Sequence, residues 1–161
     1  MLSSRSLKIR VALAAAVFTI VAPSWAALAQ SNEGQYQTKD GLAAYLGVVP
    51  AGIVKGHAAS HPEQTMHGGA PKGRREVHVV VAVFETANSV RVSDASVTAQ
   101  VSGLGLAGPV KALEPMEIAN TMTYGGFFDL PGPDLYKVKL TIQRPGTAPP
   151  VEMELTYDNR Q

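Results

Sequence analysis

Residues 136–157 read YKVKLTIQRPGTAPPVEMELTY. Tyr136, Val138, Leu140 and Ile142 alternate with Lys137, Lys139, Thr141 and Gln143. After a connection at 144–150, Val151, Met153, Leu155 and Tyr157 alternate with Glu152, Glu154 and Thr156. A period of two belongs to strands with one buried face. An antiparallel register with Lys139 opposite Glu152 also sets Lys137 opposite Glu154, giving two opposite-charge pairs on the solvent side. The segment therefore predicts an antiparallel hairpin.

The same grammar extends back towards the N-terminus. Residues 110–118 and 121–130 are strand candidates joined by Ala119-Asn120, and Gly103, Gly105 and Gly108-Pro109 mark a loop before them. Residues 95–101 alternate, with Ala95, Val97, Ala99 and Val101 on one face. A short strand at 90–92 follows the turn at 86–89. Residues 76–84 (EVHVVVAVF) are β-branched on both faces, which predicts a central strand covered on both sides. A first strand is expected at 44–49. No segment beyond residue 29 carries a helical period of useful length. About seven short strands between Gly/Pro turns predict an all-β, immunoglobulin-like antiparallel β-sandwich. Pro133-Asp134-Leu135-Tyr136 has the form of a tyrosine corner, with plain core packing of Tyr136 as the alternative.

The first 29 residues read differently. Arg5, Lys8 and Arg10 precede an uncharged apolar run at 11–21, Pro23 breaks it, and Ala27-Leu28-Ala29 offers a cleavage site. This is the pattern of a cleavable signal peptide. The run is about half the roughly 20 residues that a membrane-spanning helix needs. The expected organisation is a signal peptide at 1–29, a polar tail at 30–44 and one sandwich domain at 45–161. A His-rich loop at 50–75 lies within that domain. The location is periplasmic or secreted.

The whole chain carries a formal net charge of +1 from 14 basic and 13 acidic side chains. Three of the basic ones belong to the signal, so the mature form is mildly acidic. That argues against nucleic acid as a partner. The chain has no cysteine, which excludes disulfides, thiolate metal sites and cysteine nucleophiles together. It also lacks a Gly-x-Ser-x-Gly elbow, a His-Glu-x-x-His motif, a phosphate-binding loop and a dinucleotide fingerprint, so it is read as a non-enzyme.

Imidazole, thioether and carboxylate remain as metal-binding groups. His57, His61 and His67 lie within eleven residues, with Glu63 between them and Met66 beside the last. His78 opens the strand at 76–84, in an apolar row with Val80, Ala82 and Phe84. Met116 and Met122 flank the Ala119-Asn120 turn. Imidazole suits copper, iron, nickel and zinc, and thioether adds a preference for Cu(I). The plainer readings are a polar loop rich in histidine, a core histidine, and methionines that fill the core.

With these residues in view, the sequence resembles the periplasmic ferrous-iron-transport antigen family over residues 46–157. The resemblance rests on Glu76-Val77-His78-Val79, on Pro115-Met116 followed by Tyr124-Gly125, and on Tyr136-Lys137-Val138 with Ile142 and Pro145 downstream. It implies an exported immunoglobulin-like homodimer that binds copper and assists iron uptake, with a membrane iron or copper transporter as a partner. In that family the metal is held by the strand histidine, a carboxylate two residues on, the methionine of Pro-Met and a histidine before Tyr-Gly. His78 and Met116 match. Val80 stands at the carboxylate position and Thr123 at the second histidine. Met122, His61, Met66 and His67 are then the candidates for the missing ligands.

The expected function is a periplasmic metal-binding protein that handles copper or ferrous iron and serves iron or copper transport. Its bound group is a copper or iron ion. The alternative is a metal-free envelope module resembling the YtkA-like domains.

Overall fold

A computed structural model describes residues 34–56, 71, 73–147 and 149–160. The expected signal peptide and the loop residues His57, His61, Met66 and His67 lie outside the described residues. The strands are β1 (Tyr36–Lys39), β2 (Leu42–Pro50), β3 (Glu76–Glu85), β4 (Ser96–Gly103), β5 (Leu106–Ile118), β6 (Thr121–Asp129), β7 (Leu135–Gln143) and β8 (Val151–Asp158). One short helix, α1 (Ala51–Gly56), follows β2. The strands form one antiparallel sheet in the order β1-β2-β3-β6-β5-β4-β7-β8.

β5 carries the chain from one layer to the other. Its residues up to Leu113 pair with β4, and from Glu114 onward it pairs with β6. The layers enclose a single core. Val79, Val81, Val83 and Tyr124 from one side meet Val97, Val138, Leu140, Ile142 and Leu155 from the other. The β-sandwich is therefore as the alternation predicts, with eight strands among the described residues where about seven are expected, and the short strand expected at 90–92 is only a single bridge between Arg91 and Phe84. The first, β1, lies in the segment read as a polar tail, as does the start of β2. None of the β1 residues is buried, so this strand has no apolar period to betray it.

Three hairpins turn on two residues with positive φ: Asp40-Gly41, Leu104-Gly105 and Ala119-Asn120. Such turns match the right-handed twist of paired strands. The Leu104-Gly105 turn shortens the loop expected at 103–109, because β5 runs on through Gly108-Pro109. A β-bulge between Gln100 and Ser102 accommodates it.

The β7–β8 hairpin is present, with a register two residues away from the expected one. Lys139 faces Glu154 and Thr141 faces Glu152. Alternation fixes which face a residue occupies, and a shift of two preserves every face. The expected ion pairs still form, diagonally: Lys137–Glu154 at 2.9 Å and Lys139–Glu152 at 3.1 Å. All four side chains are about half exposed, so each pair contributes at most about 1 kcal/mol.

The Tyr136 hydroxyl donates to the Gly132 carbonyl at 2.8 Å and accepts from the Gly132 amide at 3.2 Å. This is the tyrosine-corner contact. A second buried tyrosine, Tyr124, donates to the Val92 carbonyl and accepts from the Ala95 amide, both at 3.1 Å. It ties the β3–β4 connection to β6.

At the end of β3, Glu85 accepts from Asn88 Nδ2 at 2.9 Å and from Arg144 Nη1 at 2.6 Å. The Asn88 hydrogen bond, followed by that of Arg144, holds the Glu85 carboxyl below its ordinary value. A carboxyl with a lowered folded-state pKa stabilises above its unfolded value, and that stabilisation is lost as pH falls through the folded one. Melting temperature should therefore drop as pH falls below about 4.3. A Glu85→Gln variant should show a shallower drop, and equal slopes would exclude this contribution.

Candidate metal centre

Side chains on opposed residues of an antiparallel sheet point to the same face. In β6, Gly125 lies between Val80 of β3 and Glu114 of β5. His78 is two residues from Val80, and Met116 is two residues from Glu114. All of these residues therefore occupy the outer face of the sheet, away from the main core. His78 is nevertheless fully buried, and Met116 is only 2% exposed. Helix α1 packs on β2 and β3 and buries Ala51 and Val54. The His78 ring lies 4.8 Å from that of Phe127, its direct partner in β6.

The geometry turns on Gly125. A Cβ at this position would stand 2.7 Å from His78 Nε2, 2.8 Å from Met116 Cε and 3.0 Å from Met116 Sδ. An imidazole nitrogen and a thioether sulfur thus converge on one point above bare backbone. Only glycine leaves that space open. Gly126 plays a different part on the inner face, where a Cβ would come 3.1 Å from Leu113 Cδ2.

The other expected ligands are placed as follows. Met122 is half-buried and lies opposite Glu117, whereas Thr123, its neighbour, lies opposite Met116. Alternation along β6 therefore puts Met122 on the face away from His78 and Met116, so it is not one of the groups brought together. Thr123 is buried, and its hydroxyl donates to the Met116 carbonyl at 3.2 Å, fixing β5 against β6 beside the site. His61, Met66 and His67 lie outside the described residues. Among the described residues no three His, Cys, Asp or Glu side chains cluster as a metal site.

A separate groove of about 850 Å³ lies on the other end of the same face. Tyr36, Tyr45, Ala82 and Phe84 line it. Tyr36 and Tyr45 meet with ring centroids 4.5 Å apart and planes tilted by 36°, and Phe84 meets Tyr45 edge-on at 5.5 Å. His78 and Met116 do not line this groove.

The sequence picks out Gly125 only as part of a motif, and Glu114, which opposes it on the same face, not at all. Both had a signal. A Gly-Gly pair inside a strand marks a close approach, and a carboxylate two residues before Met116 must share its face.

No family model matches the chain, and no curated protein matches it in sequence. Solved structures do match. A copper-bound variant of FetP from uropathogenic Escherichia coli has a TM-score of 0.59 at 13% identity, over 78% of this chain and 94% of that one. A copper-bound variant of Campylobacter jejuni P19 has a TM-score of 0.56 at 10% identity, over 78% and 94%. A DUF4426-family protein from Pseudomonas aeruginosa has a TM-score of 0.52 at 14% identity, over 77% and 94%. The fold is thus shared with FetP and P19, as the resemblance in sequence implies.

Proposed function

We propose that this chain is an exported metal-handling protein, distantly related to the ferrous-iron-transport antigen family. It binds a copper or ferrous ion as cargo and passes it to a membrane transporter. The observation that carries this reading is the convergence of His78 Nε2 and Met116 Sδ on the space over Gly125. The donor set fits copper. A nitrogen and a thioether favour a soft ion, and harder ligands broaden the choice towards Cu(II) and Fe(II).

Each residue has a distinct part. His78 and Met116 are the ligands, Gly125 keeps their approach clear, and Thr123 fixes β5 against β6. The segment after α1 carries His61, Met66 and His67. The three side chains in that segment are the candidates for the remaining ligands. Copper in the solved FetP and P19 structures supports the choice of ion. A periplasmic location and a homodimer, which the resemblance to the ferrous-iron-transport antigen family implies, belong to the same proposal.

The test is a titration of the mature protein with Cu(I), Cu(II) and Fe(II), alongside a His78→Ala/Met116→Ala double variant. Stoichiometric binding by the parent and its loss in the double variant are expected. A ligand at 100 times its dissociation constant adds about 2.7 kcal/mol of stability, so a rise in melting temperature should accompany binding. Binding that the double variant leaves intact would overturn the site. Thr123 and Val80, which stand where the family has a histidine and a carboxylate, favour a second reading: a metal-free envelope module. That reading requires no thermal shift with any of the three ions.

A further inference from the structure

Gly125 has a neighbour on each side that shares its face. On β3 it is Val80, which offers no ligand atom. On β5 it is Glu114. Opposed residues in an antiparallel pair hold their Cβ atoms about 4.5–5.5 Å apart. The Cβ position of Gly125 is the point that His78 Nε2 and Met116 Sδ both approach within 3.0 Å. A glutamate at 114 therefore starts one cross-strand step from the point where the two donors meet, and its side chain is long enough to bring a carboxylate oxygen to that point.

From this placement we infer that Glu114 is an oxygen ligand of the site. This rests on the reading of His78 and Met116 as ligands. The carboxylate comes from the strand that carries Met116, in place of the strand that carries His78. After Leu113, β5 pairs only with β6 among the described strands, so Glu114 sits where the sheet has an open flank and is exposed. An exposed carboxylate at the rim of a buried nitrogen–sulfur pair has a clear chemical consequence. With Glu114 engaged the set is nitrogen, sulfur and oxygen, which accepts Cu(II) and Fe(II). With Glu114 withdrawn the set softens towards Cu(I). Glu114 thus sets selectivity between oxidation states, while His78 and Met116 provide retention.

Glu117 is the matching control. It is exposed, lies three residues away on the same strand, and by alternation faces the other side. Cu(I) and Cu(II) affinities would be measured by chelator competition for the parent, Glu114→Gln, Glu117→Gln and the His78→Ala/Met116→Ala double variant. Electron paramagnetic resonance spectra of the Cu(II) forms would be recorded in parallel. Glu114→Gln should weaken Cu(II) by at least about tenfold, change the Cu(II) spectrum and leave Cu(I) nearly unaltered. Glu117→Gln should match the parent in every measurement. If Glu114→Gln also matches the parent while the double variant loses copper, Glu114 is not a ligand and the His78–Met116 site stands. If the parent binds neither ion, both readings fall together.

Discussion

Gly125→Ala is expected to weaken the copper binding proposed at His78 and Met116 while leaving the sandwich folded. The added methyl would stand 2.7 Å from His78 Nε2 and 3.0 Å from Met116 Sδ, closer than non-bonded atoms tolerate. Gly125 has no positive φ, so alanine strains no backbone torsion there and the effect is steric. Met116 meets the methyl with the far end of a flexible side chain and can swing away. The His78 ring is fully buried against Phe127 and has less freedom. Either movement separates the two donors. A loss of affinity of about 10–100-fold is the scale seen when groups that orient metal ligands are removed, and Gly125→Val should exceed it. The cost in stability should be about 1–3 kcal/mol, as for other insertions into packed sites. Chelator competition and thermal unfolding on the same samples separate the two effects. Unaltered copper affinity in Gly125→Ala would place the ion elsewhere.

The largest effect on stability is expected at Tyr136. Its side chain is 1% exposed, packs in the main core and closes the corner before β7 through both polar groups of Gly132. Tyr136→Ala removes the ring and the hydroxyl together and should cost about 3–5 kcal/mol. Tyr136→Phe keeps the ring and leaves the Gly132 groups without the hydroxyl, for about 1–3 kcal/mol. Denaturant titration of the two variants divides the ring from the hydrogen bonds. A phenylalanine variant as stable as the parent would show that the corner is held by packing alone.

Legibility in the sequence followed the physics of each element. β7, β8, β4 and β3 could be read because one face of each enters the core, which writes a period of two or an apolar run into the chain. β1 could not be read. Its residues lie along an edge and bury nothing, so only Asp40-Gly41 signalled a hairpin there, and no alternation flanked it. The Leu104-Gly105 and Ala119-Asn120 turns place non-glycine residues at positive φ, which costs each about 1–2 kcal/mol and is rarely chosen. That helps explain why the loop around Gly108 was expected to be longer. The β7–β8 register was wrong by two because charge complementarity works diagonally as well as directly across.

The site shows the same division. His78 stood out as a polar residue in an apolar row, and Met116 as one of two methionines flanking the Ala119-Asn120 turn. Their meeting point did not, because it depends on three strands whose order, β3-β6-β5, departs from sequence order. Once that order is known, Gly125 becomes the middle of the site. Glu114 becomes its neighbour, and Met122 drops to the far face.

The seam between the first and last strands has a consequence for how the molecule comes into being. The Thr156 amide donates to the Gly34 carbonyl at 2.7 Å, and the Glu154 amide donates to the Gln37 side chain at 2.9 Å. These bonds join residues more than 100 positions apart in the chain. Contacts so distant along the chain form late, after a large loss of chain entropy. The sheet cannot close until β8 is available, so a chain that lacks β8 leaves this seam unmade. Closure of the seam is therefore a late step, and β1 stays unpaired on that side until it is taken.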